Sequence, residues 1–90
     1  MARPILMDFY ADWCGPCRMQ GPIIEALAEE YGERVEFRKI NVDREGELAA
    51  RRGIFVVPTL ILEKDGVEIR KWLGVASKED LAQALDDALR

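Results

Sequence analysis

The chain has no histidine at all and only two cysteines. A zinc site takes four ligands, in proteins mostly Cys and His, so a self-contained one lacks donors here. A metal shared between two chains is the only form that this count leaves open. Basic clusters are scarce as well. Thirteen Lys and Arg are dispersed among seventeen Asp and Glu, no basic run exceeds two residues, and the net charge is −4. Nucleic acid and anionic membrane both require a basic face, so neither is an expected partner. Long apolar runs are missing too, and nothing approaches membrane-spanning length. The N-terminal "MARPILMDFYA" has one Arg and a short apolar stretch interrupted by Asp8, without the core or cleavage site of a signal peptide. The expected compartment is therefore the cytoplasm, where thiols stay reduced and a permanent structural disulfide is out of place. No repeat, low-complexity tract or linker composition divides the chain, so residues 1–90 are expected to form a single, monomeric domain.

Both cysteines fall in one short stretch, "ADWCGPCRM", with Gly15 and Pro16 between Cys14 and Cys17. Such a pair can be a staple, half of a metal site, or a disulfide that is made and broken. The flanking pattern favours the third. Residues 4–10, "PILMDFY", suit a buried strand. From Cys14 to Tyr31 the spacing of Ile23, Ile24, Leu27, Ala28 and Tyr31 is helical, Gly32 is a natural stop, and Pro22 must remove one internal hydrogen bond. Cys14 then stands at the helix N-terminus, where free N–H groups and the dipole favour a thiolate. Cys17 lies one turn on, within reach of a small disulfide ring. Gly15 lets another chain approach the sulfurs, and Pro16 suits a first helical turn.

Further along, "VEFRKINV" at 35–42 alternates as a strand does, and Asp43 is a candidate cap for a short helix running to Gly53. "PTLILE" at 58–63 is a third strand, joined through Lys64-Asp65-Gly66 to a fourth, "VEIRKWL". Ser77 to Asp80 resembles a capping box, and Leu81, Ala84, Leu85, Ala88 and Leu89 form one apolar helical stripe, the signature of a core helix. Trp72 is expected in or near the core, with no role in chemistry. The order βαβαββα predicts an α/β fold: a mixed four-stranded sheet with helices on both faces.

The segment "DFYADWCGPCRM", with Pro22, "KINVD" at 39–43, "VPT" at 57–59, the Asp65-Gly66 hairpin and Gly74, resembles the thioredoxin family over nearly the whole chain. Two departures stand out. The chain starts at the strand before the cysteines, without the family's usual first strand and helix, as in the short thioredoxin/glutaredoxin-like proteins of archaea. Tyr10 occupies a position where the family usually has Trp.

The resemblance implies a thioredoxin-like fold and a protein-disulfide reductase with a reversible Cys14–Cys17 disulfide. Cys14 would be the nucleophile and Cys17 the resolving thiol. No bound cofactor is implied; electrons would come from a partner thioredoxin reductase and pass to disulfide-containing proteins. Asp8 would be the buried proton acceptor behind Cys17, and Lys39, if buried, would lower its pKa. Pro58 would follow a cis bond that turns the Val57 backbone outwards for an extended substrate to pair with. Trp13, Gly15, Pro16, Val57, Pro58, Gly74 and Val75 would form the substrate-binding rim. Two other readings share the same residues: a glutaredoxin-like enzyme recharged by a small thiol, and a non-catalytic subunit that docks through the same surface.

Overall fold

A computed structural model describes residues 2–90; Met1, the first residue of the expected domain, lies outside them. Four strands form one sheet: β1 (Ile5–Tyr10), β2 (Glu36–Asn41), β3 (Thr59–Lys64) and β4 (Val67–Leu73). Three helices accompany them: α1 (Gly15–Tyr31), α2 (Gly46–Arg51) and α3 (Lys78–Ala88). The spatial order is β2-β1-β3-β4, with β1 parallel to β2 and antiparallel to β3, and β4 antiparallel to β3. This is the mixed α/β sheet that the element order predicts.

Side-chain alternation along β1 divides the core in two. Leu6 points towards α1 and α3 and joins Ile24, Leu27, Leu60, Leu62, Leu81 and Leu85 in the larger cluster. Met7 and Phe9 point the other way and pack with Ile40 and Ile61, against Leu48 of α2. Tyr31 links the two helices of the first face, its hydroxyl donating to Asp86 Oδ1 at 2.7 Å. The expected stripe on α3 is its buried face, and Trp72 packs against the same cluster, half-buried.

The element ends follow their chemistry. Gly32 closes α1 at φ 56°, its N–H donating to Ala28 O. Asp65 and Gly66 both take positive φ, 54° and 80°, as a two-residue hairpin of this hand requires. Ser77 caps α3, accepting the Asp80 N–H at 3.1 Å.

One cap is misplaced by the sequence. Asp43 does not cap α2, which starts after Glu45 without any side-chain cap bond. Asn41 is the reason: its Oδ1 accepts the N–H groups of Asp43 and Arg44 at 2.9 and 3.3 Å. That side-chain turn occupies the residues directly after β2 and postpones the helix by two positions.

Candidate functional site

The end of β1 delivers the chain to the site. After Tyr10 the backbone turns, with the Cys14 N–H bonded to Ala11 O at 3.2 Å, and α1 begins at Gly15. Cys14 is its N-cap residue, with extended backbone, and the Cys14 sulfur accepts the Cys17 N–H at 3.1 Å. A sulfur thus takes the place that Ser, Thr or Asp usually fills at a helix start. Cys14 and Cys17 are joined as a disulfide with their Cα atoms 5.3 Å apart. Both are buried, at 4% and 7% exposure, so accessibility does not rank them. Position does. Cys14 Sγ lies at the helix end and 3.6 Å from the Val57 carbonyl oxygen, whereas Cys17 sits in the first turn beneath it. Gly15 and Pro16 above them are exposed, and a Cβ on Gly15 would meet nothing within 4 Å, so the approach is open.

The Val57-Pro58 bond is cis, as the resemblance implies. Pro58 is buried and its carbonyl accepts the Gly74 N–H at 2.9 Å, which brings the loop after β4 beside the loop before β3. Among the described residues, neither Val57 N–H nor Val57 C=O has a backbone partner. Trp13 and Val75 are 70% and 43% exposed, and Gly74 is half-buried. The expected rim residues are therefore gathered at one end of the sheet.

Asp8 stands on the α1 side of β1, opposite Lys39 of β2 and Leu60 of β3. Its neighbours on the same face set its direction. Leu6 packs on Ile24 and Leu27, and Tyr10 packs on the cysteines. Asp8, between them, faces the turn of α1 that carries Cys17 and Gly21. It is 1% exposed and its Oδ1 has no hydrogen-bond partner. Desolvation pushes its pKa from 3.8 up to about 6, while the Lys39 charge pulls the other way. Lys39 itself is exposed, not buried, with Nζ 4.6 Å from the centre of the Tyr10 ring. The aliphatic stem of a lysine lets its charge stay in water while acting on a carboxyl beneath. An open cleft of about 330 Å³ lies here, lined by Tyr10, Cys17, Arg18, Gly21, Glu25 and Lys39 among others. Among the described residues there is no group of three or more Cys, Asp or Glu placed to hold a metal.

Four contributors escape the sequence reading. Gln20 is fully buried, and both ends of its amide bond the backbone of Ala76: Nε2 donates to Ala76 O at 3.1 Å, and Ala76 N–H donates to Oε1 at 2.7 Å. This clamp holds the loop carrying Gly74 and Val75 against α1. A polar residue in the apolar stripe of α1, three positions after Cys17, was the available signal. Asp43 receives the Trp13 indole N–H at 2.9 Å and fixes the ring, a contact between loops that no local pattern announces. Phe55 and Val56 are 94% and 48% exposed beside Val57. Their signal was an apolar run, "IFVVP", that no helix or strand absorbs.

Comparison with known proteins agrees with this geometry. The family model described as thioredoxin matches residues 1–87. A thioredoxin of Alicyclobacillus acidocaldarius is 43% identical over 88 residues, covering 98% of this chain and 84% of that protein. The solved thioredoxin of Fasciola hepatica superposes with a TM-score of 0.87 at 41% identity, covering 96% of this chain and 81% of the other. A solved malarial protein reaches a TM-score of 0.92 at 28% identity, with 99% and 100% of the two chains covered.

Proposed function

The chain belongs to the thioredoxin family, a family of thiol-disulfide oxidoreductases, and from that premise we propose how its residues divide the work of reducing protein disulfides. Cys14 is the attacking thiol. The observation that carries this assignment is its place at the head of α1, where the sulfur accepts the Cys17 N–H at 3.1 Å. That bond and the positive end of the helix dipole stabilise a thiolate over a thiol.

The Cys14 thiolate attacks one sulfur of a substrate disulfide. The substrate S–S bond breaks, its other sulfur departs as a thiolate and is protonated, and a mixed disulfide remains at Cys14. Cys17, as a thiolate, then attacks Cys14 Sγ. The second substrate sulfur leaves and takes up a proton, and the Cys14–Cys17 disulfide closes. Two electrons and two protons have passed to the substrate. Asp8 accepts the Cys17 proton, relayed through solvent in the adjoining cleft; a carboxyl with a pKa of about 6 is ionised at neutral pH yet basic enough for the task. Lys39 keeps that carboxyl from rising further.

An extended substrate pairs with the N–H and C=O of Val57, which have no backbone partner, as an added strand. Trp13, Gly15, Pro16, Pro58, Gly74 and Val75 surround it. Residues 1–90 act as one monomeric unit in the cytoplasm, with no bound cofactor, and a partner reductase returns the oxidised pair to the dithiol.

The test is trapping. Cys17→Ser should accumulate mixed disulfides at Cys14 with both substrate and reductase, and Cys14→Ser should accumulate none. Either variant should reduce insulin at under about 1% of the wild-type rate, since each removes one half of a two-step exchange. Mixed disulfides formed through Cys17 in the Cys14→Ser protein would reverse the two assignments.

A further inference from the structure

Gly21 stands in the interior of α1, where glycine weakens a helix. Its backbone does not require it, because its φ is not positive, as those of Gly32, Gly53, Gly66 and Gly74 are. The packed core does not require it either. Apart from its chain neighbours and its own helix backbone, a Cβ on Gly21 would come within 4 Å of one atom only, Lys39 Nζ at 3.9 Å. We propose that Gly21 is a positioning residue for the proton-transfer step: having no side chain, it keeps open the seat in which the Lys39 ammonium lies beside the Asp8 carboxyl. The inference rests on the roles proposed for Asp8 and Lys39 and adds the residue that keeps the two together.

The seat has two walls, on different elements. On one side is the Tyr10 ring of β1, with Nζ 4.6 Å from its centre, an attraction between a cation and a ring face. On the other is α1 at Gly21. Strand pairing sets Lys39 directly opposite Asp8, so the ammonium acts on the carboxyl by folding back over the sheet edge. Nothing else ties it there: among the described residues Lys39 forms no ion pair. A side chain larger than a methyl at position 21 would fill the cleft lined by Cys17, Arg18, Gly21 and Lys39 and push the ammonium outwards. Charge attraction weakens with distance and with exposure to water. Asp8 would then keep its burial but lose part of the opposing charge, and hold its proton to higher pH. The other charged groups on this cleft are Asp12 before α1 and Arg18 and Glu25 on α1, all exposed; Tyr10 and Cys17 complete the titratable set, and β3 sets the uncharged Leu60 against Asp8.

Gly21 also precedes Pro22, and a proline crowds the Cβ of a helical residue before it. The two roles have different readouts. Steric relief acts on stability alone, whereas the seat of Lys39 acts on pH dependence.

The experiment measures reduction of a soluble disulfide-linked peptide from about pH 5 to 8, as the ratio of variant to wild type, so that the titration of Cys14 cancels. Gly21→Leu should move the limb near pH 6 upwards by about half a unit, making turnover about threefold slower at about pH 5.5 and leaving it within about 1.5-fold at about pH 8. Gly21→Ala, whose methyl meets Nζ at an ordinary contact distance, should give less than half that shift. In a Lys39→Met background, where the limb already stands higher, Gly21→Leu should add nothing. If Gly21→Leu does not fold, Gly21→Met, with its unbranched and yielding side chain, is read in the same way. An unmoved limb, or an equal slowing at every pH, leaves Gly21 as a steric partner of Pro22 and overturns the inference. So does the same upward shift in the Lys39→Met background. A limb that Lys39→Met itself leaves in place overturns the role given to Lys39 above, and this inference with it.

Discussion

A carboxyl group that is 1% exposed, with one oxygen unpartnered, is the least stable tenant of this core. Its pKa rise from 3.8 to about 6 corresponds to a penalty of about 3 kcal/mol on the charged folded form. Below pH 3.8 the folded and unfolded chains both hold the Asp8 proton, and the group contributes nothing. Between 3.8 and about 6 the folded chain binds more protons, so stability falls as pH rises, and above about 6 the full penalty stands. Asp8→Asn should thus stabilise the oxidised protein by roughly 1–3 kcal/mol at pH 8 and by nearly nothing at pH 3.5, measured by denaturant unfolding. The same variant should lose the limb of the insulin-reduction profile that rises near pH 6, because that limb reports the ionised acceptor. Two variants alike in stability at pH 8, or alike in profile, would remove Asp8 from its role. At this scale much was visible in the sequence. Asp8 was conspicuous as the one charge in an apolar strand, and Pro58 as a proline at a strand start. Lys39 was harder: the resemblance alone singled it out, and only the fold shows its charge emerging at the edge.

Among the elements, α1 is the one that builds the site, and its sequence announces nearly all of it: the cysteine cap, the proline in the second position, the apolar stripe and the closing glycine. It continues through Pro22, at the loss of one internal hydrogen bond. What it does not announce is its grip on Ala76, 56 residues away. Gln20→Leu would leave a buried N–H and a buried C=O of Ala76 without partners, and should cost roughly 2–4 kcal/mol of unfolding free energy. It should also raise KM for protein substrates more than it lowers kcat, because the loop with Gly74 and Val75 loses its anchor while the cysteines keep theirs. A kcat loss with KM unchanged would place Gln20 in the chemistry instead. The misplaced start of α2 has a similar cause. Aspartate before an apolar-periodic run is a fair cap signal, but Asn41 first closes a turn on the N–H groups of Asp43 and Arg44. Competition between two short polar side chains is settled by loop geometry, which a linear pattern does not contain.

For the molecule as a whole, the switch from helical to alternating periodicity and the Asp65-Gly66 turn were enough to predict a mixed sheet. The contacts that complete the site, Trp13 to Asp43 and Gln20 to Ala76, join segments that meet only after the sheet has formed. They lie beyond any local reading. The strand order β2-β1-β3-β4 places β1 inside the sheet, running towards the cysteines. Ile5, at its start, pairs with Glu63 near the far end of β3, while Thr59, at the near end, pairs with Phe9. At the other terminus, Lys64 Nζ donates to Ala88 O, so α3 finishes beside that same far end. Ile5 and Ala88 therefore both lie on the side opposite the disulfide, about 20 Å away by the length of β1. Attachment on that side leaves the disulfide end uncovered. Grafted to a surface or fused to a carrier by either terminus, it should keep its kcat/KM for insulin within about twofold, whereas attachment through a cysteine introduced at Val75 should abolish turnover. A severe loss from terminal grafting would mean that substrates embrace more of the molecule than the one end described.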